Sequence, residues 1–348
     1  MVRKRLTWSI LVSWLKRVRD SLLKPIVLVM TGQFSPTLAT FVHQLKTRNP
    51  QTYVEKIRYK MAYDRRPILT LFADKLAVRS YVESRIGKNH LSKVYTVAPS
   101  YSELDWNRVP EEFVLKVNHG CRGVVVVTKN ADLGASLPLP DKRKPWKMHI
   151  VHPLALDKEL MGRWVDLWLK RSYNWRRWKY SEWAYSKVKR RVFIEEFLGG
   201  NQVLARNLKV LSFHGIAASV IVTRLGLNGR EEAEGRFSPA ELEFATNLSG
   251  VSLADLRTLV AHSELLSSET DFVRVDWILT PRGPIFGELT NYPAAGGTPA
   301  GPSLSMTATE VNQLYRDLWV LPRSYEELPQ GRYPPGHPGT NRHATHQA

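Results

Sequence analysis

The sequence predicts a mixed α and β fold in two packed units with tails, and three observations lead to it. The chain has 348 residues, more than one small module needs and close to two domains of ordinary size. Hydrophobic residues make up 43% and aromatics 10%, with no repeated period, which supplies a core and excludes collagen-like, coiled-coil and wholly disordered chains. Residues 52–87 carry helical character, whereas 112–127 and 271–290 are β-branched runs broken by turn residues.

The elements follow in chain order. Residues 1–30 set Trp8, Leu11, Trp14, Leu15, Val18 and Leu22 at helical spacing among seven lysines and arginines. The apolar stretch 6–15 is too short to span a bilayer and has no small-residue cleavage site. The segment therefore reads as a basic amphipathic helix, lying either on an anionic membrane surface or against its own domain. A helical part is expected over 45–110, ending at Val109-Pro110, and a strand-rich lobe over 111–198. Within that lobe, 141–191 is dense in Lys and Arg and holds Trp146, Trp164, Trp168, Trp175, Trp178 and Trp183. Two readings stand: a basic, aromatic surface that stacks bases or sugars, or an amphipathic helical insertion whose tryptophans pack inward. A second lobe covers 199–320, and the polar, Pro- and Gly-rich tail 329–348 is expected to be disordered.

Fifty Lys and Arg face 32 Asp and Glu, a net charge of +18. Such a field attracts polyanions: nucleotides, anionic polysaccharide, nucleic acid or anionic lipid. The single cysteine, Cys121, permits no internal disulfide and points to a reducing compartment such as the cytoplasm.

Chemistry begins at 112–127, where two β-branched runs flank Asn118-His119-Gly120-Cys121-Arg122-Gly123. The pattern is strand, tight turn, strand, and the turn reads as a flap. Gly120 and Gly123 let backbone N–H groups approach an anion, and Lys116 supplies a point charge for phosphate. A plain hairpin with a glycine turn would look the same. Neither a P-loop nor a Gly-x-Gly-x-x-Gly fingerprint is present.

A sharper pattern is 271–290. Period two sets Val273, Val275, Trp277 and Leu279 on one face and Arg274, Asp276 and Ile278 on the other. A three-residue loop over 281–283 would pair Thr280 with Pro284, bring Asp276 opposite Glu288 and Arg274 opposite Thr290. Directly opposed carboxylates lie roughly 5 Å apart and repel. A divalent cation such as Mg²⁺ carried on nucleotide phosphates turns that repulsion into a site, with Arg274 beside it to grip a phosphoryl oxygen. An exposed hairpin whose acids pair with Arg274 and lysines is the plainer alternative, and a one-residue register change would separate the pair.

These residues, in their order, resemble a known family. Asp74-Lys75 opening a helix, Phe113-Val-Leu-Lys116 with its Asn-His-Gly loop, Phe193-Ile-Glu195-Glu196-Phe-Leu, Arg274-x-Asp276 and Gly287-Glu288-Leu-Thr290 look like the TupA-like branch of the ATP-grasp superfamily, over roughly residues 45–320. The resemblance implies an α+β ATP-grasp fold, two α+β lobes clamping ATP, and a Mg²⁺-dependent carboxylate-amine ligase acting through an acyl phosphate. It implies that Lys116 contacts the α and β phosphates, that the loop from Gly120 through Arg122 to Gly123 covers the β and γ phosphates, and that Lys75 and Lys209 are further phosphate contacts. The strand 191–198 would be the hinge between lobes, with Glu195 or Glu196 and nearby backbone holding adenine or ribose. Asp276 and Glu288 would be Mg²⁺ ligands, completed by Thr290 or Asn291 where many relatives have Glu-x-Asn, and Arg274 would stabilise the transferring phosphoryl group. Arg122 makes this flap bulkier than usual.

Members of the branch tend to serve cell-surface polysaccharide pathways. The resemblance thus implies a uronic acid glycan or a glutamate unit as carboxylate and an amino acid or amino sugar as amine, while the lone cysteine and the basic N-terminal segment point to a cytoplasmic protein peripheral to the inner membrane face. Nucleic acid is not an expected partner. Two other classes compete: a phosphotransferase that leaves phosphate on a sugar-type acceptor, told apart by a stable phosphorylated product, and a non-catalytic polyanion-binding module, told apart by indifference to Mg-ATP. Cys121 has no identifiable base partner, and His149 and His152 read as core or surface histidines rather than a metal pair.

Overall fold

A computed structural model describes residues 50–173, 182–199, 206–225, 231–280, 282–322 and 324–328. The expectations for 1–30 and 329–348, and for Trp175 and Trp178, lie outside the described residues. Helix α1 (Tyr53–Tyr63) starts where Thr52 and Glu55 form a reciprocal capping box. Helices α2 (Pro67–Ala73) and α3 (Val78–Ile86) follow, with Pro67 at the first position of α2, where its missing N–H costs nothing.

The first sheet holds β1 (Val94–Ala98), β2 (Phe113–Val117), β3 (Gly123–Val127), β4 (Lys147–Val151) and β5 (Val192–Glu196) in the order β1-β5-β2-β3-β4. Helix α4 (Lys158–Leu169), capped by Asp157, covers one face. Phe113, Leu115, Val117, Val125 and Val127 pack there against Met161, Trp164, Val165 and Trp168. Both tryptophans are fully buried and their indole N–H groups donate to Pro138 and Pro145 carbonyls. Among the described residues, then, the Trp-rich stretch packs inward, and it includes β4, an edge strand parallel to β3.

The second sheet is β6 (Arg206–Phe213), β7 (Ile216–Leu225), β8 (Glu231–Phe237), β9 (Phe272–Thr280) and β10 (Gly283–Thr290), in the order β10-β9-β6-β7-β8 and antiparallel throughout. Helices α5 (Leu242–Ser249), α6 (Leu253–Ser267) and α7 (Ala308–Leu318) pack on it. Helices α1–α3 share this second core: Ile57, Met61, Phe72 and Val82 cluster with Val210, Val275 and Trp277. The packing therefore changes partner between α3 and β1, not at the expected boundary near 110.

Pairing of β9 with β10 departs from the expected loop. Thr280 pairs with Gly283, and the register shifts between Phe286 and Glu288, leaving Gly287 as an extra residue. The two departures cancel, and Asp276 still faces Glu288 and Arg274 still faces Thr290.

Candidate active site

A cleft of about 280 Å³ lies between the sheets, lined from one side by Val114, Lys116, Val124, Val126 and Glu195 and from the other by Lys209, Asp276, Ile278 and Glu288. Strand alternation builds the first wall. Phe113, Leu115 and Val117 turn to the core, so Val114 and Lys116 turn to the cleft, and register sets Val126 and Glu195 beside Val114. Val114, Val124 and Val126 form a separate apolar cluster with Met148, Ile150 and Phe197.

The second wall is one row across three strands: Lys209 on β6 faces Asp276 on β9, which faces Glu288 on β10. Arg274 and Thr290 occupy the next row. Arg274 grips Asp276 with both arms, Nε to Oδ1 and Nη2 to Oδ2, each at 2.6 Å, and Nη2 reaches Thr290 Oγ1 at 3.2 Å and Glu288 Oε1 at 3.9 Å. Lys209 Nζ stands 3.9 Å from Asp276 Oδ2. Thr290 Oγ1 donates to Glu288 Oε1 at 3.3 Å. Asn291 is buried, and its Nδ2 donates to the carbonyl of Leu69 in α2 at 2.8 Å. Of the two residues offered to complete a metal site, Thr290 shares the carboxylate cluster and Asn291 ties β10 to α2.

The two carboxylates sit in different electrostatic surroundings. Burial acts to raise Glu288, but Lys75, Arg274 and Lys209 outweigh it and hold it down at about 2. Its side chain keeps 33% of its surface open, so solvent softens that shift. Burial raises Asp276 and the charge of Glu288 adds to it, with Arg274 and Lys209 offsetting only in part.

Lys75 sits in the turn before α3. Its Nζ lies 3.2 Å from Glu288 Oε2 and donates to the flap carbonyl of Gly120 at 2.9 Å. Gly120 has φ +81 and Arg122 φ +65, an unfavourable backbone for arginine of the sort that gathers at functional loops. A side chain at Gly120 would strike Tyr173 at 2.9 Å. Arg122 and Cys121 are exposed and line the cleft. The Cys121 thiol is pushed up, by desolvation first and by Glu288 second, which disfavours a thiolate nucleophile. His119 at the flap root is buried and neutral at pH 7, its pKa lowered to about 4 by desolvation.

Lys116 pairs closely with Glu195, which also accepts from Ser92 Oγ at 2.7 Å and lies 3.8 Å from Arg79. Glu195 is thereby engaged by cations and a hydroxyl. Glu196 pairs with Arg282 of the β9–β10 turn, a link across the mouth of the cleft. His149 packs on the Trp164 ring at 4.4 Å between centroids, and His152 Nδ1 accepts from the Leu154 N–H.

Mg²⁺ fits the donors present. No group of three or more His, Cys, Asp or Glu gathers among the described residues, yet Mg²⁺ carried on phosphates needs only one or two carboxylates and hard oxygen donors. Asp276 and Glu288 face each other, with the Thr290 hydroxyl beside Glu288 and Arg274 paired with Asp276.

Sequence reading passed over the apolar wall of Val114, Val124, Val126, Met148 and Phe197. The available signal was β3, whose five residues are Gly and four Val without alternation, the mark of a strand covered on both faces. Arg79 and Ser92, which hold Glu195, carried no comparable signal.

The family model for TupA-like ATP-grasp proteins matches residues 55–300. No curated protein matches the chain. Solved structures similar to it include a D-alanine–D-alanine ligase from Bacillus anthracis, 15% identical, covering 72% of this chain and 68% of that one at a TM-score of 0.36. The VanG D-Ala:D-Ser ligase from Enterococcus faecalis is 11% identical, with 79% and 70% covered and a TM-score of 0.41. An L-amino acid ligase from Bacillus licheniformis is 16% identical, with 65% and 42% covered and a TM-score of 0.34. The family match spans well over half of the 348 residues and includes every residue of the cleft row, and the chain belongs to the TupA-like ATP-grasp family.

Proposed function

We propose that this ATP-grasp ligase joins a carboxylate to an amine through an acyl phosphate, with Mg²⁺ held by Asp276, Glu288 and Thr290. One observation carries the reading: Lys75, Lys116 and Lys209 converge on one cleft with two opposed carboxylates, one of them gripped by Arg274, beside an apolar wall. That is a receptacle for a triphosphate at one end and a flat apolar base at the other.

The valines of β2 and β3 with Met148 and Phe197 would take the adenine, with backbone near 195–198 at its edge. Lys116, Lys75 and Lys209 would neutralise phosphates, and the flap from Gly120 to Gly123 would cover them. When bound, Mg²⁺ supplies further neutralisation of charge on the transferring phosphoryl group. A substrate carboxylate oxygen attacks the γ phosphorus, the bond to the bridging oxygen breaks, and ADP leaves. The amine then attacks the acyl carbon, phosphate leaves, and the amine gives up a proton. Arg274 presents its planar fork to the phosphoryl group. These steps need positioning and charge neutralisation more than a protein nucleophile.

The family and the +18 charge support an anionic acceptor. We take the carboxylate to be a uronic acid glycan or a glutamate unit of a cell-surface polysaccharide and the amine to be an amino acid. The work would be done in the cytoplasm, with residues 1–30 resting on the anionic inner membrane face. Among the described residues no helix is long and apolar enough to cross a membrane.

Amine-dependent ADP release, screened over uronate glycans and amino acids, tests the reading. Lys116→Ala and Asp276→Ala should each lower Mg²⁺-dependent turnover by about a hundredfold or more with the circular dichroism spectrum kept. Full turnover in either variant refutes the site, and a stable phosphorylated acceptor without amide makes the protein a phosphotransferase.

A further inference from the structure

The root of the flap is held by two side chains that the proposed steps leave unused. Asn118, 1% exposed, engages three partners with its amide: Nδ2 donates to Asp74 Oδ1 at 2.9 Å and to the Lys189 carbonyl at 3.0 Å, and Oδ1 accepts from the Arg191 N–H at 2.8 Å. Its backbone N–H donates to the Arg191 carbonyl and its own carbonyl accepts from the Lys75 N–H, both at 3.0 Å. Asp74, 6% exposed, accepts on the same Oδ1 from the N–H groups of Leu76 and Ala77, at 2.9 and 3.2 Å. The turn before α3, the flap root and the approach to β5 therefore meet on one amide-carboxylate pair.

Lys75 follows Asp74 and is attached to the flap at both ends, by its N–H on the Asn118 carbonyl and by Nζ on the Gly120 carbonyl. The same Nζ reaches across the cleft to Glu288. The geometry points to Asp74 and Asn118 as a positioning pair that aims Lys75 between the flap and Glu288 and so couples the state of the carboxylate site to the flap. Backbone bonds alone would join these segments with any residue at 118. The added side-chain pair, desolvated and costly to bury unless satisfied, fixes the turn that presents Lys75. Coupling follows because any group that takes Glu288 away from Lys75 removes one of the two anchors of an ammonium whose other anchor is the flap. The pair rests on the ligase reading for what fills the site.

The chain carries its own reporter. Cys121 is the only cysteine in the 348 residues and lies on the flap, exposed as a residue with its thiol partly desolvated beside Glu288 and Lys75, so its alkylation by iodoacetamide in the full-length protein reports access at the flap together with the field at the thiol. In Asn118→Asp two carboxylates confront each other, and Cys121 of the nucleotide-free protein should label roughly tenfold faster, with loss of protection by Mg-ADP. Asp74→Asn combined with Asn118→Asp restores the donor–acceptor contact between the two side chains but not the donation to the Lys189 carbonyl, and should bring both the labelling rate and the protection back part of the way to wild type. A purely structural role would lower the melting temperature and leave the labelling rate of folded protein unchanged, and that result overturns the proposal. Should Asn118→Asp fail to fold, Asp74→Ala is read in the same way, with fast labelling supporting the pair and a wild-type rate refuting it. If Mg-ADP never protects the wild type, the ligase reading fails, while the nucleotide-free comparison still decides on the pair.

Discussion

At the scale of single residues, Glu195 shows how a side chain can serve a site through its neighbours. The family resemblance offered this residue or Glu196, with nearby backbone, as a holder of adenine or ribose. Its surroundings make it the counter-ion of Lys116: burial would raise its pKa, yet Lys116, Ser92 and Arg79 overcome burial and keep it ionised. Glu195 then aims Lys116 in the empty protein and competes with phosphate for it. Glu195→Gln should therefore destabilise the nucleotide-free protein by about 1–3 kcal/mol, since cations lose a buried partner. The melting-temperature rise on adding ATP should grow, because the phosphates then meet no competing anion, while turnover falls because Lys116 is no longer aimed. Differential scanning fluorimetry with and without ATP checks this, and an unchanged rise means Glu195 does not compete. Lys116 itself stood out in the sequence as a lysine interrupting an apolar strand beside a glycine loop, a pattern that a plain hairpin shares. Glu195 was not legible, since its role depends on Ser92 and Arg79, about a hundred residues away in sequence.

At the scale of elements, the β9–β10 hairpin carries the central geometry, and its register was legible only in outcome. Alternation along β9 separates Val273, Val275 and Trp277 in the core from Asp276 at the cleft and Arg274 one row along on the same face. On β10, Phe286 and Glu288 are two apart and in a regular strand would share a face. The extra residue at Gly287 separates them, sending Phe286 to the core against Trp277, at 6.2 Å between ring centroids, and Glu288 to the cleft against Asp276. Glycine inside a strand was the signal for this bulge. A methyl group there would lie 3.0 Å from the backbone oxygen of Asp276. Gly287→Ala should cost stability by about 1–3 kcal/mol, and displace the strand that carries the carboxylate. The apparent Mg²⁺ requirement of turnover should rise by roughly tenfold or more. A Mg²⁺ titration superimposing on that of the wild type would show that the bulge does not set the Asp276–Glu288 spacing.

At the scale of the whole molecule, a buried ionic knot explains why α1–α3 travel with the second sheet. Lys60 of α1 pairs closely with Asp271 at the start of β9 and lies 3.1 Å from Asp64, while Arg66 binds Asp64 at 2.8 Å. Trp319 Nε1 and the Tyr325 hydroxyl donate to Asp271 Oδ2 at 2.8 and 3.1 Å, which ties in the segment after α7. Two cations and two carboxylates balance, all essentially without solvent contact. None of this was legible, because Lys60, Asp64 and Arg66 look like surface charges in a helical sequence and their partner is some 200 residues away. Asp271→Asn leaves an excess cation in the interior and should cost about 3–5 kcal/mol at pH 7. Burial alone would raise Asp271, but Lys60, Trp319 and Arg66 hold it below the usual carboxylate range. A lowered folded value means that its ionisation stabilises the fold above the unfolded pKa of about 4, and that this contribution fades as pH falls below that toward the folded value. The gap in melting temperature between wild type and Asp271→Asn should accordingly be widest at neutral pH and narrow as pH drops below about 4. A gap that stays constant from pH 7 to the acid limit of folding would mean that the loss comes from packing around the substituted side chain and not from the charge that joins the helices to the sheet.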